Sequence, residues 1–400
     1  DRVRRDPPRQ EVAGPGHVLE QVRVAGAGGR VEDPQPGSTE IPGRELDRLA
    51  MQPGDKLPRI QHQAIDLEHI VERLETANRY YDQVLEVAPW LPEARVKRAD
   101  LAGHVLFEIA AGFRPEARPG EGREALADLS NEYSLGWEHA RTDAERALFE
   151  AERTLFSDDW RGYPAKLDKA LADDACVPGN WIYQLGTHFG WTDAILRRLK
   201  TNLLCDPMSG VTRMSLVQTL VWAGDGEAAL EVLHEADALG VTVPFERTLR
   251  VVAMLAAGRF AGENEAAVTI PDGVLYGFDD RLLIAATRGD AESARRLADE
   301  YRAAPGAEDW SSMVAAAVTG DREAANASAA RIDARPGGPF MLAIGSEMCF
   351  CGAPFDLETT PNFRARMQES GFPWPPRKPI EYRSMPVVKA SRSVPRQCPL

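Results

Sequence analysis

Residues 216–233 read Leu-Val-Gln-Thr-Leu-Val-Trp-Ala-Gly-Asp-Gly-Glu-Ala-Ala-Leu-Glu-Val-Leu, two apolar stretches separated by a glycine-containing turn. Glycine ends a helix readily because it accepts a positive φ without a Cβ clash. Asp225, which follows Gly224, is suited to cap the next helix, and the acidic Glu227 suits that helix's first turn. The stretch therefore predicts two antiparallel helices joined by a tight turn.

The same turn recurs along the chain at nearly constant spacing. The turn glycines are separated by 34, 34, 31 and 31 residues and are Gly190, Gly224, Gly258, Gly289 and Gly320. A small residue lies five positions after three of them, at Ala229, Ala294 and Ala325, where close helix packing needs a small side chain. A proline, which cannot continue a helix, closes most second helices, at Pro207, Pro305 and Pro336. Gly162 and Pro178 repeat the pattern upstream. The periodicity predicts a series of helix pairs.

The recurring glycine, alanine and proline resemble tetratricopeptide-repeat proteins over roughly residues 64–345, since that repeat is about 34 residues long and contains two antiparallel helices. More loosely, residues 179–207 and 355–374 are similar to C-terminal repeat regions of bacterial signalling proteins, which often carry an adenylate-cyclase or winged-helix domain ahead of the repeats. No stretch of these 400 residues matches either domain. The resemblance implies an all-α fold, a right-handed α-solenoid of helix pairs, with a concave groove for an extended peptide or partner helix.

The chain divides by composition into four segments. Residues 1–57 contain repeated Pro and Gly clusters and are predicted to be disordered or loosely structured. Residues 58–345 form the predicted repeat domain. Residues 346–376, with a short helix expected at 360–367, are predicted to cap it, because a terminal repeat exposes an apolar face. Residues 377–400 contain six Lys or Arg against one acid and are predicted to be a basic flexible tail.

Charge and hydropathy restrict the classes of partner. The net charge is −14 and both termini are net basic, so the acidic charge is concentrated in the repeats. Nucleic-acid binding through the repeats is not expected, because phosphate contacts need Lys and Arg. The chain contains no apolar run of the ~18 residues that a transmembrane helix needs, so no membrane association is expected. The expected partner is a protein or peptide.

The cysteines are five in number, at Cys176, Cys205, Cys349, Cys351 and Cys398. An odd number in a long chain does not suggest a disulfide scaffold, so reduced thiols and a cytoplasmic location are predicted. The pair Cys349 and Cys351 has no second pair or nearby histidine to complete a zinc site, so buried structural cysteines are the favoured interpretation.

No motif predicts catalysis. A glycine-rich stretch at residues 26–29 is followed by prolines rather than by the helix that a phosphate-binding turn requires. None of the seven histidines has metalloprotease spacing, and a Ser-His-Asp site assembled from distant positions lacks a supporting nucleophile motif. The acidic pairs at 158–159, 173–174 and 279–280 fit helix capping. We therefore predict a protein that is not an enzyme, with no cofactor and no metal site.

The groove residues follow from the register of the turn glycines. Positions six and ten residues before each glycine are expected to be exposed on the first helix of a pair, facing the groove. The residues selected for partner binding are Asn180, Gln184, Met214, Gln218, Thr248 and Asp279. Their amide and apolar side chains suit a peptide better than a phosphate, and the alternative is that several pack against neighbours. Trp181, Trp191, Trp222 and Trp310 are expected in the core.

The expected function follows from the predicted shape: a non-catalytic scaffold or sensor module that binds a protein or peptide. Two alternatives stay open, each with an effector domain outside this chain. In the first, the chain is the regulatory region of a signalling enzyme such as a nucleotide cyclase. In the second, it is the sensor region of a transcription regulator.

Overall fold

The computed structural model describes residues 74–172, 176, 179, 181–259, 274–275, 278–303, 307–348, 350–380 and 382. The N-terminal segment predicted at 1–57 lies outside them. The helices of the first half are α1 (residues 74–87), α2 (Pro92–Ala111), α3 (Glu121–His139), α4 (Asp143–Leu155), α5 (Tyr163–Ala170), α6 (Trp181–Gly186), α7 (Thr192–Cys205) and α8 (Gly210–Ala223). Those of the second half are α9 (Gly226–Leu239), α10 (Glu246–Ala256), α11 (Asp280–Arg288), α12 (Ala291–Arg302), α13 (Asp309–Thr319), α14 (Arg322–Asp333), α15 (Gly338–Met348) and α16 (Pro361–Ser370).

The all-α fold class is confirmed for the described residues. Their only extended pairing is a two-residue antiparallel ladder between β1 (Val274–Leu275) and β2 (Phe278–Asp279). Consecutive helices pack against one another along the chain, most extensively α2 on α3, α4 on α5, α8 on α9 and α13 on α14. A single apolar core runs through these pairs.

The predicted turns are confirmed in detail. All five turn glycines have positive φ: Gly190 118°, Gly224 82°, Gly258 72°, Gly289 79° and Gly320 78°. Three turns continue with a capping aspartate whose side chain accepts a backbone N–H at 3.1–3.2 Å, namely Asp225, Asp290 and Asp321. The small residues that follow, Ala229, Ala294 and Ala325, are fully buried. Local sequence therefore sets both the turn and the close approach of the paired helices.

Helix α15 is the most enclosed element of the C-terminal part. Its residues Met341 to Ile344 have no exposed surface, and it contacts α2, α6, α14 and α16. Gly345 permits this position, because a Cβ there would lie 2.7 Å from the indole Nε1 of Trp310 on α13. α15 thus contacts helices from both the first and the last part of the series.

The capping segment is anchored by side-chain contacts. The predicted helix at 360–367 is present as α16, and the Asp333 carboxylate accepts the backbone N–H groups of Asn362 at 2.9 Å and Phe363 at 2.7 Å. Because α15 runs to Met348, the predicted boundary at residue 345 falls inside a helix. Ile380 and Tyr382 are buried, so the start of the predicted basic tail is packed, and residues 383–400 lie outside the described part.

The prediction of reduced thiols is wrong for three cysteines. Cys176 and Cys205 form a disulfide with a Cα–Cα distance of 6.2 Å, and Cys351 is also disulfide-bonded. The first bond follows from the fold: Cys176 precedes α6 and Cys205 ends α7, and the turn between these antiparallel helices brings their outer ends together. Cys351 is buried, as expected, and Cys349 lies outside the described residues.

Candidate partner-binding surfaces

The predicted groove residues are mostly buried. Met214, Gln218 and Thr248 are at most 8% exposed, so the expectation that they face an open groove is wrong. Gln184 is half-buried. Asn180 and the side chain of Asp279 lie outside the described part of the chain.

The reason is that helix α8 is surrounded on all sides. Every residue from Arg213 to Trp222 is buried, because α7, α9, α10 and α6 all pack against this helix. A helix that is apolar all round belongs in a core rather than on a surface. The expected core tryptophans Trp181, Trp222 and Trp310 are buried as predicted, whereas Trp191 is only half-buried.

We call the side of α2, α6, α8 and α13 that turns toward α15 the inner face. The chain's own C-terminal part occupies it. Phe340 on α15 lies edge-on to Trp181 with ring centroids 5.2 Å apart and against Phe156 at 4.5 Å. Phe350, just beyond α15, packs on Trp222 at 6.1 Å. The inner face is therefore an intramolecular interface.

Residues 350–380 extend this cover. Phe372 stacks on Phe189 with ring centroids 4.7 Å apart and an interplanar angle of 3°. Three further aromatic rings surround Phe372 edge-on at 5.6–6.4 Å: Trp160, Tyr163 and Trp191. Aromatic pairs in these geometries stabilise beyond their buried area by about 0.5–1.5 kcal/mol each. The two aromatic residues within residues 372–374 could have indicated this packing, but the repeat periodicity does not extend to them.

Several polar groups are buried on α8, on α15 and at His188. Within the described residues, His188 Nε2, Gln218 Oε1, Trp222 Nε1 and both carboxyl oxygens of Glu347 are buried without a hydrogen-bond partner. His188 lies 5.5 Å from the ring of Trp222. Ala343 and Phe350 approach this pair from the C-terminal side, and Glu347 lies between them in sequence.

Burial shifts the pKa values of His188 and Glu347 in opposite directions. Desolvation lowers the pKa of His188 to about 3, against a smaller opposing effect of the backbone of Gln184 and Ala343. Desolvation alone raises the pKa of Glu347 well above its ordinary value. Both shifts favour the uncharged form of the buried side chain.

A second surface, at the N-terminal end of the described chain, is open. Tyr80, Val87, Trp90 and Trp137 are 40–82% exposed. The Arg141 guanidinium lies over the Trp90 ring at 3.9 Å from its centroid, and Trp137 is four residues before Arg141. Tyr80 and Val87 are seven residues apart on α1 and so share one side of it. We call Trp90, Arg141 and the neighbouring Trp137 the exposed aromatic face, which the repeat register did not predict.

Two observations concern other kinds of site. Within the described ranges, no group of three or more His, Cys, Asp or Glu side chains is arranged to hold a metal ion. None of the helices described in the structure is both long and apolar enough to cross a bilayer.

Comparison with protein-family models, curated proteins and solved structures finds no match to the chain.

Proposed function

We propose that the chain is a right-handed solenoid of tetratricopeptide-like helix pairs that acts as a non-catalytic scaffold or sensor module for a protein or peptide partner. Support comes from the consecutive packing of the helices and from the positive-φ glycine and capping aspartate that recur at the turns. Stacked helix pairs of this kind present extended surfaces suited to protein recognition.

The observation that carries the assignment of a surface is the exposed aromatic face. Large aromatic side chains at a surface are characteristic of binding sites, and Trp, Tyr and Arg dominate the energetics of protein interfaces. Trp90 and Arg141, which are in direct contact, supply two of these residue types, and the exposed Trp137 is four residues before Arg141. The inner face, by contrast, is filled by α15 and residues 350–380. The partner therefore contacts the N-terminal end of the helical series rather than the predicted groove.

The two tryptophans give the proposal a specific test. The double variant Trp90→Ala with Trp137→Ala is expected to weaken partner binding about 30-fold or more, because truncation of a central interface tryptophan costs about 2 kcal/mol or more. The partner is first captured from the source cell by cross-linking to the wild-type chain. Its affinity for the wild type and the variants is then measured by titration.

A matched control comes from the other exposed apolar side chains. Leu204 and Leu239 are as exposed as the tryptophans but lie on α7 and α9, and alanine there is expected to leave binding unchanged. Equal affinity of the tryptophan variant and the wild type would show that the partner contacts a different surface. A comparable loss in the leucine variant would show non-specific apolar adhesion.

A further inference from the structure

A pocket of 490 Å³ lies where the connection between α2 and α3 meets the connection between α14 and α15. Four arginines line it, Arg114, Arg118, Arg123 and Arg335, and the lining includes no Asp or Glu. Its volume falls in the range of small-molecule sites, about 300–1,000 Å³. A cluster of cations facing one cavity is notable in a chain whose net charge is −14.

Two of the arginines are held in place by contacts with residues that do not line the pocket. Arg335 donates from Nη1 to the carbonyl oxygen of Ala110 at 3.1 Å and from Nη2 to the Asp309 carboxylate. Arg114 pairs with Glu108 at 3.3 Å and with Glu121 at 3.0 Å. Both guanidinium groups are largely buried, so these contacts fix their orientation before any ligand arrives.

The other two arginines of the lining are exposed, and their guanidinium groups can reorient toward a ligand. Arg118 is 68% exposed and its partner is the exposed Glu124, at 3.0 Å. Exposed ion pairs of this kind contribute little to stability, so the guanidinium can exchange this partner readily. In the part of the chain that the structure describes, the exposed Arg123 side chain forms no hydrogen bond or ion pair. Two fixed and two adaptable guanidinium groups therefore converge on one cavity.

The local charge balance restricts the class of ligand. The carboxylates of Glu108, Glu121 and Asp309 pair with Arg114 and Arg335, so the region has little net charge and attracts anions weakly at long range. The guanidinium group instead recognises oxygens by its planar array of N–H donors, which matches carboxylate and phosphate groups. A compact anion with several oxygens makes the best use of four such groups.

We propose that this pocket, the arginine pocket, binds a small multivalent carboxylate or phosphate anion. Bound there, the anion bridges the start of the helical series to the connection that leads into α15. The proposal is independent of the scaffold function and of the exposed aromatic face.

Titration calorimetry of the full chain with citrate and with inorganic pyrophosphate tests the pocket. At least one of the two is expected to bind with a dissociation constant of about 1 mM or tighter. The double variant Arg118→Ala with Arg123→Ala is expected to bind it about tenfold more weakly or worse, because it removes charge-assisted hydrogen bonds, which are stronger than neutral ones. Binding of citrate alone assigns a carboxylate ligand, and of pyrophosphate alone a phosphate ligand.

The control variant carries Arg146→Ala and Arg296→Ala, which remove two exposed, ion-paired arginines outside the pocket. It is expected to bind like the wild type, and circular dichroism checks that both variants are folded. The proposal is overturned if neither anion binds at ~10 mM, if the pocket variant binds as tightly as the wild type, or if the control loses as much affinity. The last two results indicate diffuse surface binding.

Discussion

Replacing Glu347 with glutamine is expected to make the stability of the protein rise with pH between about pH 4.5 and 6.5, where that of the wild type is nearly constant. The Glu347 carboxyl is buried without a hydrogen-bond partner among the described residues, and desolvation raises its pKa well above the ordinary 4.5. The neutral form is therefore favoured in the folded state. Its contribution to stability is complete below pH 4.5 and is lost at about 1.4 kcal/mol per pH unit as the pH rises through the folded-state pKa.

His188 acts in the opposite direction. Its folded-state pKa is lowered to about 3 by burial, so its contribution is complete above the unfolded value of 6.5 and is lost as the pH falls toward 3. Between pH 4.5 and 6.5 the two slopes oppose each other. In this range the free energy of unfolding of the wild type is expected to change little with pH. That of Glu347→Gln is expected to rise with pH, and that of His188→Asn is expected to fall.

Urea unfolding between pH 4 and 9 measures these differences directly. Glu323→Gln, which changes an exposed carboxylate on α14, is the control and is expected to follow the wild type at every pH. A constant difference between Glu347→Gln and the wild type across this range would contradict the buried, unpartnered carboxyl. It would place Glu347 in water or beside a cation.

Gly226→Ala is expected to destabilise the protein by about 3 kcal/mol or more, at the severe end of overpacking substitutions. Gly226 begins α9, and a Cβ there would overlap the backbone of Ala253 and Ala257 at the end of α10. Backbone atoms cannot rotate away as a side-chain tip can. Relief of the clash therefore requires separating two packed helices.

The neighbouring Gly224→Ala is the matched comparison. Gly224 has a φ of 82°, and the nearest side-chain atom to a Cβ would be Arg377 Nη2 at 3.5 Å. The expected cost is that of a left-handed alanine alone, about 1–2 kcal/mol. Thermal and urea unfolding of the two variants separate the two mechanisms. If both substitutions cost the same, the close contact between α9 and α10 is not present.

The turns could be predicted because their determinants are local. A glycine with positive φ, a capping aspartate and a small buried alanine act within about six residues of chain, and Gly224, Asp225 and Ala229 all have the expected roles. The final helix was predictable for the same reason, since Pro361 and Gly371 bound α16.

The groove could not be predicted from the turn register alone. That register states which residues share a side of a helix, but not what covers that side. Gln218 has the predicted position on α8 and is nevertheless buried, because neighbouring helices pack on every side of α8. The composition of α8 held a usable signal, since a helix that is apolar all round is a core helix. The contact between Phe350 and Trp222 joins residues 128 positions apart and has no local signature.

Helix α15 fills the inner face, and native-state hydrogen exchange of its amides measures how firmly it is packed there. The amides from Phe340 to Glu347 are expected to be among the slowest in the protein and to exchange only through global unfolding. The surface helix α12, in which only Ala294, Leu297 and Ala298 are buried, provides the internal reference and is expected to exchange faster. Exchange of α15 as fast as that of α12 would contradict the account and show that the inner face is open to a partner.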